Sequence, residues 1–223
     1  MCEFITVLIP AYNEGTRIKN TIQAIKKSIY VDRIVVIDDG SVDTTFETAK
    51  KENAEVYRLD RNRGKGYAMN YGLDKVISNS KIIIFLDGDL QETASEVDKL
   101  IYPILEDEAD FTIAKFPRAK KKGGFGLVKN LAKSGVKFYT GQSIDTTLSG
   151  QRAFKTEILK RVGNLPSGYG VEVGMTIDIL NMGYRVKEVE VGMTHRETGR
   201  DLQSFLHRGK QFYHILLTLI KKI

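Results

Sequence analysis

The chain has 223 residues, 42% of them hydrophobic, enough for one substantial core and too many for a disordered tail. A formal net charge of +6 points to anionic partners, whether nucleic acid, lipid headgroups or phosphorylated small molecules, without choosing among them. Its one cysteine, Cys2, excludes an internal disulfide framework, and with no secretory pattern or long apolar span in view the expected setting is cytoplasmic.

Phe4 to Pro10 (FITVLIP) reads as a buried first strand closed by a proline, which cannot donate to the ladder. The loop Ala11 to Gly15 leads to Ile18, Ile22, Ile25 and Ile29, whose spacing is that of an amphipathic helix. Arg33 to Ile37 is a second strand, tipped by Asp38-Asp39-Gly40-Ser41. A helix over Val42 to Asn53, a strand over Glu55 to Leu59 and a helix over Gly66 to Ile77 follow, the last after the turn Asn62 to Gly66. Next comes an unbroken apolar run, Ile82 to Leu86, the signature of a central strand covered on both faces, which stops at Asp87-Gly88-Asp89. Alternation predicts that these two aspartates emerge on one side, where they repel unless a divalent cation joins them.

This order predicts an α/β fold, a mostly parallel sheet with helices on both faces in a single domain spanning 1–223. Three strand tips, carrying Tyr12/Glu14, Asp38/Asp39 and Asp87/Asp89, then converge on the carboxyl rim. A dinucleotide fingerprint is excluded because PAYNEG follows the first strand, and Gly64-Lys65-Gly66 lacks the spacing of a Walker loop. Alone, the DDGS tip reads as an Asx turn and Tyr12 reads equally as a packing residue.

Asp110 to Phe116 reads as a further strand. Between Phe111 and Ile144 there is no acid, while Arg118, Lys120, Lys121, Lys122, Lys129, Lys133 and Lys137 accumulate around Gly123-Gly124-Phe125-Gly126. That pattern suits a lid over an anionic ligand, or a solvated basic helix after a loop. Within the basic stretch 115–137 the aromatic content, Phe116 and Phe125, is too small for a nucleic-acid binder. Lys187 to Thr194 is strand-like and ends at His195. In the tail, Phe205, Phe212, Leu216, Leu219 and Ile223 form a stripe flanked by His207, Arg208, Lys210, Lys221 and Lys222, a helix suited to packing on the domain or to lying on an anionic membrane. A homodimer is compatible with all of this.

The segments IPAYNEG (9–15), VVIDDGSVDTT (35–45), GKGYAMNYGL (64–73) and FLDGDLQ (85–91), in this order, resemble the family 2 glycosyltransferases of the GT-A fold. The resemblance implies metal-dependent transfer of a sugar from a nucleotide-sugar donor to a phosphate-bearing acceptor, in envelope or glycoconjugate synthesis. It implies that Pro10, Tyr12 and Asp39 line the nucleotide with Glu14 nearby, that Lys65 faces phosphate, and that Asp87 and Asp89 serve ribose and metal. Asp89 then carries catalysis with the metal. Residues 1–110 would form the donor half and 111–223 the acceptor half.

Farther on, TLSGQRAFK (147–155) resembles the polyprenyl-phosphate sugar synthases, which implies that Ser149 and Gly150 line the acceptor side and that Arg152 and Lys155 meet its phosphate. GYGVEVG (168–174) resembles the glucosyl-3-phosphoglycerate synthases. That resemblance makes Glu172 the acid/base or acceptor-orienting group and His195 the third ligand, with Asp87 and Asp89, of Mg²⁺ or Mn²⁺. Arg196 and Arg200 follow as clamps for diphosphate or acceptor. The plain alternatives are a first-turn glutamate that complements a helix dipole and a histidine that binds nothing. The phosphoglycerate enzymes carry Arg and Thr where this chain has Phe125 and Leu127, which argues against phosphoglycerate as acceptor. Two rivals remain: a sugar-nucleotide pyrophosphorylase, which needs a Gly-rich, Arg-containing first loop, and a non-catalytic nucleotide-sugar-binding module.

Overall fold

The computed structural model describes residues 3–117, 126–165, 168, 170–194 and 202–222, without the side chains of 202–207. Seven strands form one sheet: β1 (Phe4–Ala11), β2 (Arg33–Asp38), β3 (Glu55–Arg58), β4 (Ser80–Phe85), β5 (Phe111–Lys115), β6 (Arg152–Lys155) and β7 (Val186–Glu190). Their order is β3-β2-β1-β4-β6-β5-β7. All neighbours run parallel except that β6 is antiparallel to both β4 and β5.

The helices α1 (Ile18–Ile25), α2 (Thr45–Lys51), α3 (Lys65–Val76), α4 (Val97–Leu105), α5 (Leu127–Thr140), α6 (Thr156–Val162), α7 (Val171–Asn181) and α8 (Leu202–Ile220) cover both faces. Strand alternation explains how. Ile82 and Ile84 of β4 join Val7 and Ile9 under α1 and α4, while Ile83 and Phe85 join Leu8 and Ile37 under α3, α5, α6, α7 and α8. The unbroken run in β4 therefore feeds two cores at once. The result is the GT-A fold, a mostly parallel sheet in a single α/β domain.

Several local expectations shift. β1 runs through Pro10 to Ala11, because its register with β4 ends at Leu8 while its pairing with β2 continues to Asp38. The missing N–H of Pro10 falls on the side where the ladder has already stopped. α1 ends at Ile25, so Ile29, expected on its apolar face, is 81% exposed. α2 starts only at Thr45, since Asp43 accepts hydrogen bonds from the Thr45 amide (3.0 Å) and from the Gly15 amide (2.9 Å) and so belongs to the loop. β7 stops at Glu190. Val191 to Thr194 leave the sheet to follow a short 3₁₀ helix, Gln91–Glu96, through Gly192 N–H to Glu96 (2.6 Å) and Thr194 N–H to the Thr93 hydroxyl (3.1 Å).

Candidate active site

The carboxyl rim is assembled by stitching three loops together. Asn13, in a left-handed conformation (φ 55°), donates its amide to Ser41 Oγ (2.9 Å) and accepts from Val42 N–H (3.0 Å). The Glu14 amide donates to Thr45 Oγ1 (2.8 Å). Asp39 is buried, and its two oxygens accept from the amides of Arg63 and Gly64, 2.8 Å each, which ties the loop before α3 to the tip of β2. Asp38, fully buried, accepts from Ser41 N–H (2.9 Å) and lies 3.3 Å from Arg58 Nε. Tyr12 stands exposed beside them.

At the tip of β4 the buried Thr21 holds the aspartate turn. Its hydroxyl donates to the Gly88 carbonyl and accepts from Gln91 N–H, both 2.8 Å. Asp87 meets Lys65 Nζ through one oxygen and Gln151 Nε2 through the other, each at 2.6 Å. Asp89 instead acts electrostatically on Glu14 and Arg17. Burial raises the Glu14 carboxyl, partly offset by Arg17, whose Nε donates to it at 2.6 Å. Sequence expects the two aspartates on one side; among the described residues Asp87 meets Lys65 and Gln151, and Asp89 acts on Glu14 and Arg17.

From the second half, α7 delivers Glu172 in its first turn, with Oε1 4.0 Å from Lys65 Nζ. Burial raises the Glu172 carboxyl, and Lys65 and Arg152 pull it back in part. For Lys65, burial works against the charge, but Asp87 and Glu172 prevail and hold the ammonium above its ordinary value. Gly150 leaves room here for the ammonium, since a Cβ on it would lie 2.7 Å from Lys65 Nζ and turn that side chain aside.

Arg152 corrects an expectation. It is fully buried, and its guanidinium donates to the carbonyls of Ser149 and Thr147 (2.7 Å each), to Thr176 Oγ1 (2.8 Å) and to the Glu172 carbonyl (3.2 Å). Burial pushes its pKa down to about 10, opposed by Glu172. It fastens the 147–149 loop to α7 and presents nothing to an acceptor. Lys155 is also misplaced by the sequence reading. β6 runs away from the rim, so Lys155 pairs with Ile82 at the opposite end of β4 and binds Asp107 (2.7 Å) and Asp110 (2.8 Å). Gln151, to which the sequence reading gave no part, arrives beside Asp87 for the same reason: Arg152 lies opposite Phe85, so the residues before it overhang the rim.

Ser149, Gly150 and Gln151 border a cleft of about 1180 Å³ that also touches Asp87, Lys115 and Lys129. His195, Arg196 and Arg200, and the basic residues 118 to 122 with Gly123 to Phe125, lie outside the described residues. Among the described residues no group of three metal-ligating side chains gathers. Two hard carboxylates on one turn nonetheless suit an ion such as Mg²⁺, which keeps phosphate oxygens and waters for its other positions.

Loops joined at the carboxyl rim, an acidic turn at the central strand and a cleft beside it describe a GT-A transferase. The model of the glycosyl transferase family 2 matches residues 6–163, and the chain belongs to that family. An uncharacterised protein of Methanocaldococcus jannaschii is 36% identical over 201 residues, 86% of this chain and 82% of its own. The UDP-N-acetylglucosamine–dolichyl-phosphate N-acetylglucosaminyltransferase of Methanococcus voltae is 28% identical over 181 residues, 71% of this chain and 72% of its own. Among solved structures, glucosyl-3-phosphoglycerate synthase from Mycobacterium tuberculosis in complex with Mn²⁺, UDP-glucose and phosphoglyceric acid has a TM-score of 0.79 at 26% identity, covering 98% of this chain and 79% of that one. The protein is a glycosyltransferase.

Proposed function

We propose that this enzyme transfers a sugar from a nucleoside-diphosphate donor to a phosphate-bearing acceptor, of the polyprenyl phosphate class, with Mg²⁺ or Mn²⁺ bound at Asp87 and Asp89. The observation that carries the reading is the convergence on Asp87: Lys65 and Gln151 at 2.6 Å, Glu172 at 4.0 Å from the same ammonium, and the open cleft alongside. The dolichyl-phosphate relative supports the acceptor class, and the solved neighbour with Mn²⁺ and UDP-glucose supports donor and metal.

Residues 1–110 form the donor half in this reading. Pro10, Tyr12 and Asp39 flank the nucleoside, Glu14 lies beside them, and the diphosphate reaches Lys65. A bound divalent cation would supply Lewis-acid stabilisation of the departing diphosphate. His195 would be its third ligand in this reading; the residue before it, Thr194, is fastened to Thr93, four residues after Asp89. Arg196 and Arg200 follow as clamps. Lys65 neutralises charge that grows on the leaving group, in a site where its own charge is already favoured. Ser149 and Gly150 border the acceptor in the half formed by 111–223. The same reading places the enzyme in the cytoplasm, at the inner membrane face.

Glu172 separates acceptor types. A phosphate oxygen is largely ionised near neutral pH and needs no strong base, so Glu172 would orient Lys65 and the acceptor; a hydroxyl nucleophile would need Glu172 to take its proton. The test is a panel of nucleotide sugars with Mg²⁺ or Mn²⁺, assayed with polyprenyl phosphate and with phosphoglycerate, on the parent and Glu172→Gln. Transfer to polyprenyl phosphate that needs the metal and falls about tenfold or less in the variant is expected. No turnover with any donor, or transfer confined to a hydroxyl, refutes the proposal.

A further inference from the structure

Two helices on the acceptor side share an unusual charge pattern. α5 carries Lys129, Lys133 and Lys137 and no acid; from Leu202 to Lys222 there are Arg208, Lys210, Lys221 and Lys222, again with no acid. The helices pack on each other. Leu219 fits over Gly135, where a Cβ would come within 2.5 Å of it, and Tyr139 Oη donates to the Leu219 carbonyl at 2.7 Å. Ile215 is buried beneath. One flank of α8 therefore belongs to the domain, which answers the sequence alternative of a helix that packs.

The other flank does not. Tyr213, Leu216 and Ile220, at helical spacing, are 58%, 38% and 54% exposed, and Phe138 at the same end of the pair is 80% exposed. Lys133 and Lys222 turn to Asp145 and Asp178, while Lys129, Lys137, Lys210 and Lys221 are exposed. Aromatic and aliphatic side chains among outward lysines, on two helices that contribute no carboxylate of their own, match the chemistry of a headgroup layer. Among the described residues no helix is long and apolar enough to cross a membrane.

We propose that the outer face of the α5–α8 pair docks the enzyme on an anionic lipid surface. Both helices also reach the cleft, through Lys129 and Gln211, so docking would set the cleft mouth against the bilayer. The docking claim stands on charge and exposure; only its purpose, presentation of a lipid-linked phosphate, rests on the proposed function.

The full chain is floated with vesicles of phosphatidylcholine alone and with vesicles containing about one-third phosphatidylglycerol, neither holding polyprenyl phosphate or donor. Binding to the anionic vesicles, released by high salt, is expected. Lys137→Glu/Lys210→Glu/Lys221→Glu should lower that partition at least about tenfold, and so should Phe138→Ser/Ile220→Ser. Thermal midpoints and turnover of a water-soluble acceptor should stay unchanged. If the apolar variant unfolds, the charge-reversal variant decides. No binding, equal binding to neutral vesicles, a charge-reversal variant that floats like the parent, or sedimentation showing that this face joins two copies overturns the proposal. Because the vesicles lack substrate, these outcomes are independent of whether the transferase reading holds.

Discussion

Two strand tips in this sheet carry paired acids, and they use them differently. At β2, Asp38 and Asp39 are buried and accept from main-chain amides of Ser41, Arg63 and Gly64. At β4, Asp87 meets side chains, Lys65 from α3 and Gln151 from the entry to β6. A backbone donor cannot leave without unravelling its loop. A lysine can turn aside by rotamer changes when a phosphate or a cation arrives. The same acidic signature therefore builds a wall locked to the backbone at one tip, where Asp39 is proposed to flank the nucleoside, and a responsive centre at the other, and the origin of the donors decides which.

The sharpest break of this comparison is a matched pair. Asp87→Asn should lower kcat by about 10²–10³-fold, roughly 2.7–4 kcal/mol of transition-state stabilisation, with little change in melting temperature. Asp39→Asn should instead set an amide donor against a backbone N–H and cost about 1–3 kcal/mol of folding stability. Denaturation curves beside steady-state kinetics check both. Equal melting losses would erase the distinction.

Much of the first half of the chain was legible because it is local. The run Ile82 to Leu86, the acid pairs and the βαβ rhythm each occupy a few consecutive residues. They led correctly to a mostly parallel sheet whose acidic strand tips lie at the carboxyl rim. What was not legible depends on strand direction and on distant partners. Nothing in RAFK announces that β6 is antiparallel, yet that direction brings Gln151 to Asp87, sends Lys155 to the far end and buries Arg152. Arg17 escaped for a similar reason. Its pairing with Glu14, three residues back, is local, but only the fold sets it in the field of Asp89.

Two glycines sharpen the contrast at intermediate cost. A Cβ at Gly40, where φ is +69°, would lie 2.4 Å from the Arg61 carbonyl carbon, a backbone atom that cannot yield. Gly40→Ala should cost about 2–4 kcal/mol of stability from strain and overpacking. At Gly150 the obstacle is the far end of a flexible side chain, Lys65 Nζ at 2.7 Å. Gly150→Ala should leave stability within about 0.5 kcal/mol, as for substitutions that force no strain. It should still reduce turnover about tenfold by turning the ammonium away from Asp87, as a small misplacement of a catalytic group does. A Gly150 variant that melts early but turns over normally when folded would reverse the assignment.

A smaller loss of stability than at Gly40 is expected at the far end of the sheet, where carboxylates serve stability alone. Asp110 accepts from the Arg185 amide (2.8 Å), Nε (3.1 Å) and Nη2 (3.0 Å) and from Lys155 Nζ (2.8 Å), which pins the entries of β5 and β7 to the end of β6. The Arg185 hydrogen bonds, reinforced by Lys155 against some burial, hold its carboxyl well below the ordinary range. A depressed folded pKa means that the stabilisation is present above the unfolded value, about 4, and is lost as pH falls through that value toward the folded one. Arg185 is half-exposed, so screening limits the gain, and Asp110→Asn should cost about 1–2 kcal/mol at pH 7. Urea denaturation of parent and variant at pH 7 and near pH 3 measures the gap. It should narrow at the lower pH, where the parent's carboxylate begins to protonate on unfolding; a gap of the same size at both would mean that shape, not charge, holds this corner, while activity at the β4 tip should be untouched at pH 7.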